Sequence, residues 1–176
     1  MLDTEAQSNV IAPDPIRTAL IVIDMQRDFL EPGGFGALLG YDVSLLTPVV
    51  DRVESLLMLA RCKDMLIVHT REGHLPDLSD LPDSKYYQLP EGSRIGDAGP
   101  MGRVLIRGEP GHDIVPRLSP RGDELVIDKP GKGAFYKKTL ESQLRRRAID
   151  TLILCGVTTE VLSLIHISEP TRLRRI

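Results

Sequence analysis

The chain has 176 residues, 22 basic and 25 acidic side chains for a formal net charge of −3, and 41% apolar residues. That size suits one domain able to bury about 70% of its unfolded surface, and the mixed, nearly balanced charge gives no sign of a nucleic-acid or membrane surface. No apolar run approaches the roughly 18 residues of a membrane-spanning helix, and the two cysteines, Cys62 and Cys155, make no disulfide framework, so a reducing cytoplasm is the expected compartment.

Residues 1–16 are polar and acidic, carry Pro13 and Pro15, and lack the order of a signal peptide; they are expected to form a loose extension. Leu20-Ile21-Val22-Ile23 is then an unbroken apolar run that ends in Asp24, followed by Met25-Gln26-Arg27-Asp28-Phe29. Continuous Leu, Ile and Val without alternation suit a strand covered on both faces, as in a parallel α/β sheet. Ligands in such sheets bind just beyond the carboxyl ends of the strands, where Asp24 stands. The glycine-rich loop Glu31-Pro32-Gly33-Gly34-Phe35-Gly36 lacks the Gly-Lys-Ser/Thr ending and the spacing of a phosphate cradle, and reads as a tight turn.

A helix is predicted next, with Thr47 as its N-cap and Pro48 in its first turn. Leu46, Val49, Val50, Val53, Leu56, Leu57 and Ala60 share one face at helical spacing and read as core. Met65–Thr70 is the second strand, which makes a parallel crossover with the first. Residues 72–124 hold seven of the thirteen prolines and eight of the fifteen glycines, the mark of a long functional loop that lids or walls a pocket. Arg103–Arg107 is expected as a short edge strand inside it. Leu125–Pro130 is the third strand, again ending in charge; Thr139 is expected to cap a helix carrying Leu140 and Leu144 to about Arg147; Thr151–Val157 is the fourth strand, and Thr158-Thr159-Glu160 would open another helix.

Asp24 and Lys129 therefore share the carboxyl end of the predicted sheet, with the turn at Gly156–Thr159 ending a third strand there. A lysine beside an aspartate keeps it ionised, and the aspartate can then take a proton from a nucleophile placed between them. Backbone N–H groups at the start of the helix after strand four would face a developing oxyanion. Spacing alone leaves this open against an ordinary ion pair.

The order of motifs resembles the isochorismatase-like cysteine hydrolases, a family that includes nicotinamidases, ureidoacrylate amidohydrolases and biuret hydrolases. The matching pieces are Val22-Ile23-Asp24-Met25-Gln26 with Asp28-Phe29, Lys129 with Ala134-Phe135, and Gly156-Val157-Thr158-Thr159-Glu160-Val161. Within the family, His69–His74, Gly96–Pro100, Arg107–Gly111 and Asp128–Gly133 look most like the biuret hydrolase branch. The resemblance implies a three-layer αβα fold of Rossmann-like type over residues 17–161, a homo-oligomeric parent protein, and cleavage of a C–N bond in a small amide or ureido substrate through a cysteine acyl-enzyme, with no cofactor. It implies Asp24 as general base, Lys129 as its orienting cation (with Lys132 on the surface), Phe29 lining the pocket, and an oxyanion hole at the backbone of Thr158 and the nucleophile, helped by a cis peptide between Val157 and Thr158.

The family pattern breaks at its nucleophile. A cysteine should follow Val161, and this chain has Leu162. Cys62 ends the first helix at the opposite edge of the predicted sheet, and Cys155 lies inside strand four as a small buried apolar residue. From Leu162 to Ile176 the sequence resembles nothing in the family and reads as a sequencing or assembly join, so the domain's last strands and helices are expected to be missing and the chain as written inactive. The competing readings are a ligand-binding relative without catalysis and a truncated fragment without function. Glu72 and His74 loosely resemble acidic-x-His metal ligands, but two ligands do not fix an ion, and no metal is expected; His69 and His112 read as structural. Arg71, Glu72, Arg107 and Glu109 are the polar loop residues that would bind a ureido group or hold the loop. Ala148 stands where relatives often have the glycine that ends a helix, at a cost of about 1 kcal/mol if the backbone there is left-handed.

Overall fold

The apolar run becomes the centre of a parallel sheet in the computed structural model, which describes residues 13–131, 133–135 and 139–157. In chain order the elements are β1 (Thr18–Ile23), α1 (Arg27–Leu30), α2 (Phe35–Leu38), α3 (Thr47–Cys62), β2 (Leu66–Glu72), α4 (Asp83–Tyr86), β3 (Ala98–Gly99), β4 (Gly102–Arg103), β5 (Leu125–Lys129), α5 (Thr139–Arg146) and β6 (Thr151–Gly156). The main sheet has the order β5-β2-β1-β6, and every pair in it is parallel. The fold is the α/β class read from the sequence, with helices flanking a parallel sheet.

β1 is buried along its whole length because its two faces are both covered. Leu20 and Val22 pack with Val53, Leu57 and Ala60 of α3, while Ala19, Ile21 and Ile23 pack with Leu140 and Leu144 of α5. Alternate residues of one strand thus serve opposite layers, which is why no polar residue interrupts the run. The stripe read on α3 is the face that packs there: Leu46, Val49, Val50 and Leu56 complete the contact at its margin. Full burial of a side chain such as Leu57 contributes about 1.5–3 kcal/mol.

Three local expectations need correction. Thr47 is not the N-cap of α3. Asp42 caps a single 3₁₀ turn over 43–46 by accepting from the Ser44 N–H, and that turn runs straight into α3, so that the Ser44 carbonyl accepts the Thr47 N–H and Leu46 takes the cap position without a side-chain bond. Arg103–Arg107 is not an edge strand. Gly102–Arg103 pairs in a two-residue hairpin with Ala98–Gly99 and Ile106 makes a single parallel bridge to His74; Leu105 turns left-handed at φ 50° between them, and Val104, Leu105 and Ile106 are buried in a separate core with Ile95. Third, residues 13–16 are not all loose, because Asp14 caps a turn over Pro15–Arg17 and the Arg17 carbonyl accepts from the Asp150 N–H. Residues 1–12, Lys132, the helix expected from Thr158, and the tail 162–176 lie outside the described residues.

The helix ends follow the chain's own chemistry. α3 closes with Asp64 at φ 52° and the Met65 N–H on the Ala60 carbonyl, and α5 closes with Ala148 at φ 52° and the Ile149 N–H on the Leu144 carbonyl. Both are left-handed stops that satisfy the last carbonyls. Ala148 is therefore left-handed, as the sequence comparison with glycine required for a cost to arise.

Candidate active site

β1 ends by turning sharply. The Asp24 N–H still bonds the Thr70 carbonyl of β2, at 3.1 Å, but Asp24 itself adopts φ 50°, and the Gln26 N–H closes back on the Asp24 carbonyl at 2.7 Å. A non-glycine residue in this conformation is strained and is held there by its surroundings. The turn leaves the Asp24 carboxylate buried beyond the strand end, 1% exposed. Oδ1 accepts from the Thr70 hydroxyl at 2.8 Å and Oδ2 accepts from Lys129 Nζ at 2.7 Å.

Lys129 reaches this point because β5 pairs with β2 so that Lys129 lies opposite Glu72, at the same end of the sheet. Its ammonium is 3% exposed on the side chain, donates also to the Gly131 carbonyl at 3.2 Å, and lies 3.9 Å from Glu72 Oε2. The structure thus brings together Asp24 and Lys129, residues 105 apart in sequence. Burial pushes the Asp24 carboxyl above its ordinary value, against the pull of Lys129 and the Thr70 hydroxyl. A buried carboxylate with one donor on each oxygen and a raised proton affinity is suited to accept a proton.

Sequence reasoning placed Gln26 and Asp28 in the family motif but gave them no part in building this end of the sheet. Gln26 is fully buried; its Nε2 donates to the carbonyls of Glu72 and His112 at 2.9 and 3.0 Å, and its Oε1 accepts from the Glu72 N–H at 2.7 Å. It stitches the turn after β1 to β2 and to the loop above. Asp28 likewise accepts from the backbone N–H groups of Leu105 and Phe35, at 3.0 and 3.3 Å, and so fixes the loop core on α1. A buried Gln two residues past a strand-end Asp was visible as a signal; its three partners were not.

Lys85, from α4, carried no signal at all. Its ammonium donates to Glu72 Oε1 at 2.6 Å, His74 Nε2 at 2.9 Å and the Pro130 carbonyl at 3.1 Å. His74 must then carry its proton on Nδ1, which faces Asp80 Oδ1 at 3.1 Å. Burial works to raise Glu72, but the Lys85 and Lys129 ammoniums outweigh it and hold its carboxyl below the usual range. Glu72 and His74 are therefore spoken for by an ammonium, and among the described residues no group of three His, Cys, Asp or Glu side chains is arranged to hold a metal ion. Arg71 pairs with Asp128 through two bonds of 2.7 and 3.0 Å, and Arg107 bonds the Gly73 carbonyl at 3.0 Å and Asp80 at 3.3 Å. Both hold the loop. His112 is 1% exposed with neither ring nitrogen bonded, and burial with the nearby Arg71 pulls its pKa down to about 4.

The remaining expected site residues fall as follows. Phe29, on α1, is half-buried between the sheet core and the loop core, with its ring edge-on to Phe35 at 6.2 Å. Gly156 ends β6 at φ 140°, where a Cβ would meet the Ile23 carbonyl oxygen at 2.1 Å, so only glycine lets β6 approach β1 here. The Val157 N–H bonds that same carbonyl at 3.2 Å, and its side chain is buried in the core. Thr158, the Val157–Thr158 peptide and Leu162 lie outside the described residues. Neither cysteine reaches the Asp24 end. Cys62 is exposed at the end of α3, before β2 begins. Cys155 sits opposite Val22 in the β1–β6 ladder, packed on the core, and burial pushes its thiol up to about 11.

This geometry has relatives. A model of the isochorismatase domain matches residues 18–162, most of the chain. The chain belongs to the isochorismatase-like hydrolase family. Among solved structures it is similar to a cysteine hydrolase from Pseudomonas syringae pv. phaseolicola 1448A, with 27% identity and a TM-score of 0.70 over 91% of this chain and 68% of the other. It is 32% identical to an isochorismatase family protein from Desulfovibrio vulgaris subsp. vulgaris str. Hildenborough, with a TM-score of 0.64 over 80% of this chain and 67% of that one. The N-carbamoylsarcosine amidase from Thermoplasma acidophilum shares the fold at 21% identity, with a TM-score of 0.64 over 91% and 79% of the two chains. Within this family fold, the Asp24–Lys129 pair sits beyond the strand ends, where open parallel sheets place their ligands. No described helix is long and apolar enough to cross a membrane.

Proposed function

We propose that the site is that of an amidohydrolase acting on a small amide or ureido compound of the biuret kind, with its nucleophile position occupied by Leu162. The observation that carries this reading is the buried Asp24–Lys129 pair at 2.7 Å, with Thr70 on the other carboxylate oxygen. A thiol at 162 would pass its proton to Asp24 and attack the substrate carbonyl. The N–H groups of Thr158 and residue 162 would hold the oxyanion, since the Val157 N–H already serves Ile23. Protonated Asp24 would then return its proton to the departing nitrogen, releasing ammonia and leaving an acyl-thioester. Water, deprotonated by Asp24, would hydrolyse that thioester and restore the thiol. Lys129 favours the charged, accepting form of Asp24 at each return, against the burial that raises its proton affinity, and Phe29 supplies an apolar wall. The substrate's likeness to biuret rests on sequence resemblance, and the fold shared with an N-carbamoylsarcosine amidase is consistent with ureido chemistry.

With Leu162 in place Asp24 has no thiol to deprotonate, which favours a second reading in which the chain binds such compounds without turnover. The test is ammonia release from a panel of biuret, ureido acids, nicotinamide and simple amides, run on the unchanged chain and on the Leu162→Cys chain, each checked for folding by circular dichroism. Hydrolysis by the Leu162→Cys chain that disappears on adding Asp24→Asn is the expected result. Thiol-dependent hydrolysis by the unchanged chain would overturn the assignment of Leu162, and a preference for nicotinamide would overturn the ureido class. Sequencing the gene across codon 162 gives an independent check, with a Cys codon expected.

A further inference from the structure

The mechanism above uses Asp24 and Lys129, yet Lys129 has a second carboxylate within reach. Glu72 Oε2 stands 3.9 Å from its ammonium, on a side chain only 11% exposed. Two buried carboxylates and one ammonium form an ambiguous group: a small swing would move Lys129 from Asp24 to Glu72. What settles the choice is a second ammonium. Lys85 gives all three of its N–H groups to acceptors, at Glu72 Oε1, His74 Nε2 and the Pro130 carbonyl.

We infer that Lys85 is a positioning residue, an internal counter-ion that satisfies Glu72 and thereby reserves Lys129 for Asp24. The inference rests on the role proposed for the Asp24–Lys129 pair but is read through geometry that exists without any catalysis. The four groups alternate in sign, Asp24, Lys129, Glu72 and Lys85, with separations of 2.7, 3.9 and 2.6 Å. Alternation at these distances makes each neighbour favourable, and removing the last cation leaves Glu72 a buried charge whose nearest cation is Lys129. The seat of Lys85 is itself fixed. His74 accepts from it only while its proton stays on Nδ1, where Asp80 holds it, and Asp80 in turn is held by Arg107. Arg94 lies over the rings of Tyr86 and Tyr87, 5.3 and 5.6 Å from their centroids, and steadies the short helix that carries Lys85. A loop with no repeating pattern thus reaches back to tune the pair.

The experiment is a carbon-13 NMR titration of the Asp24 carboxyl in the full chain and in three variants. Lys85→Met removes the charge and keeps the length. It is expected to raise the Asp24 titration by about one unit, the usual effect of weakening an opposite charge at this range. Glu72→Gln in the same chain is expected to return it, because the competing carboxylate has gone. If Lys85→Met leaves Asp24 where it was, or if the double variant keeps the raised value, the counter-ion role is wrong and Lys85 only anchors the loop. Should Lys85→Met not fold, Glu72→Gln alone decides: it is expected to lower the Asp24 titration, and no change overturns the inference. None of these readouts needs turnover. In the Leu162→Cys chain Lys85→Met should also cut kcat, with Glu72→Gln restoring it. A Leu162→Cys chain that never turns over would defeat the proposed reaction while leaving the titration result standing.

Discussion

Among the described residues, Asp24 and Glu124 are carboxylates set against cations near opposite ends of the sheet, and they have opposite properties. Glu124, just before β5, accepts two bonds from Arg61, at 2.7 and 3.0 Å, one from His69 at 2.9 Å, and one from the Arg121 N–H at 3.0 Å. Its burial works to raise it, but those donors bring it down to about 2. Asp24 has two donors, and burial wins. The difference lies in whether the surrounding donors and cations outweigh burial: Arg61, His69 and the Arg121 N–H do so at Glu124, while Lys129 and the Thr70 hydroxyl do not at Asp24.

The largest expected effect breaks this contrast at Glu124. Glu124→Gln replaces a charge-assisted acceptor by a neutral amide in front of a partly buried guanidinium and should cost about 2 kcal/mol at pH 7. Asp24→Asn should cost less than half as much. Its desolvation is poorly compensated in the folded chain, and Lys129 keeps the Gly131 carbonyl and has Glu72 nearby. Urea denaturation of both variants measures the difference. Equal losses would mean that Asp24, too, is merely structural.

The pH dependence sharpens the same point through its sign. Glu124 has a folded pKa near 2 against an ordinary 4.5, so its contribution is complete above about pH 4.5 and is lost as pH falls toward 2. Asp24 is shifted the other way. Below its folded value the native chain binds the proton more readily than the unfolded one, so acidification through that window favours the native state. Denaturation midpoints at pH 7, 5 and 3.5 should therefore fall less steeply on acidification in Glu124→Gln than in the unchanged chain, and more steeply in Asp24→Asn. Matching slopes in the two variants would remove the distinction.

How much of this was legible in the sequence depends on whether a residue's role comes from its own neighbours in the chain. Leu20–Ile23 announced a doubly covered strand because continuous apolarity has few other uses, and the stripe on α3 announced its buried face through its period. Asp24 and Lys129 were legible because strand ends can be read and parallel strands bring their carboxyl ends together. Glu124 was not, since nothing in Arg121-Gly122-Asp123-Glu124 says that Arg61 and His69 will converge on it. Lys85 was hidden for the same reason, its partners being set by how the 72–124 loop folds back. In that loop the apolar triplet Val104-Leu105-Ile106 looked like a strand because its period was too short to tell a pleat from a turn into a local core. Thr47 looked like a cap because Ser and Thr before a helix usually are, and a preceding 3₁₀ turn took over the task.

The smallest effect tests a residue remote from both carboxylates and so sets the baseline for comparing them. Ala148 ends α5 at φ 52°, with its N–H on the Arg145 carbonyl and the Ile149 N–H on the Leu144 carbonyl, while Ile149 packs with Leu144. The geometry is the left-handed stop that glycine enters without strain and alanine does not. Ala148 is exposed, so no packing is lost on removing its methyl. Two terms oppose each other. Relief of the left-handed strain contributes about 1 kcal/mol, and the greater freedom of glycine in the unfolded chain takes back a part. Ala148→Gly should therefore stabilise the chain by about 0.5–1 kcal/mol in urea denaturation, equally at pH 7 and pH 3.5. A gain that changed with pH would show that stability at this helix end is coupled to a titrating group, and the slopes assigned to Glu124 and Asp24 would have to be divided again.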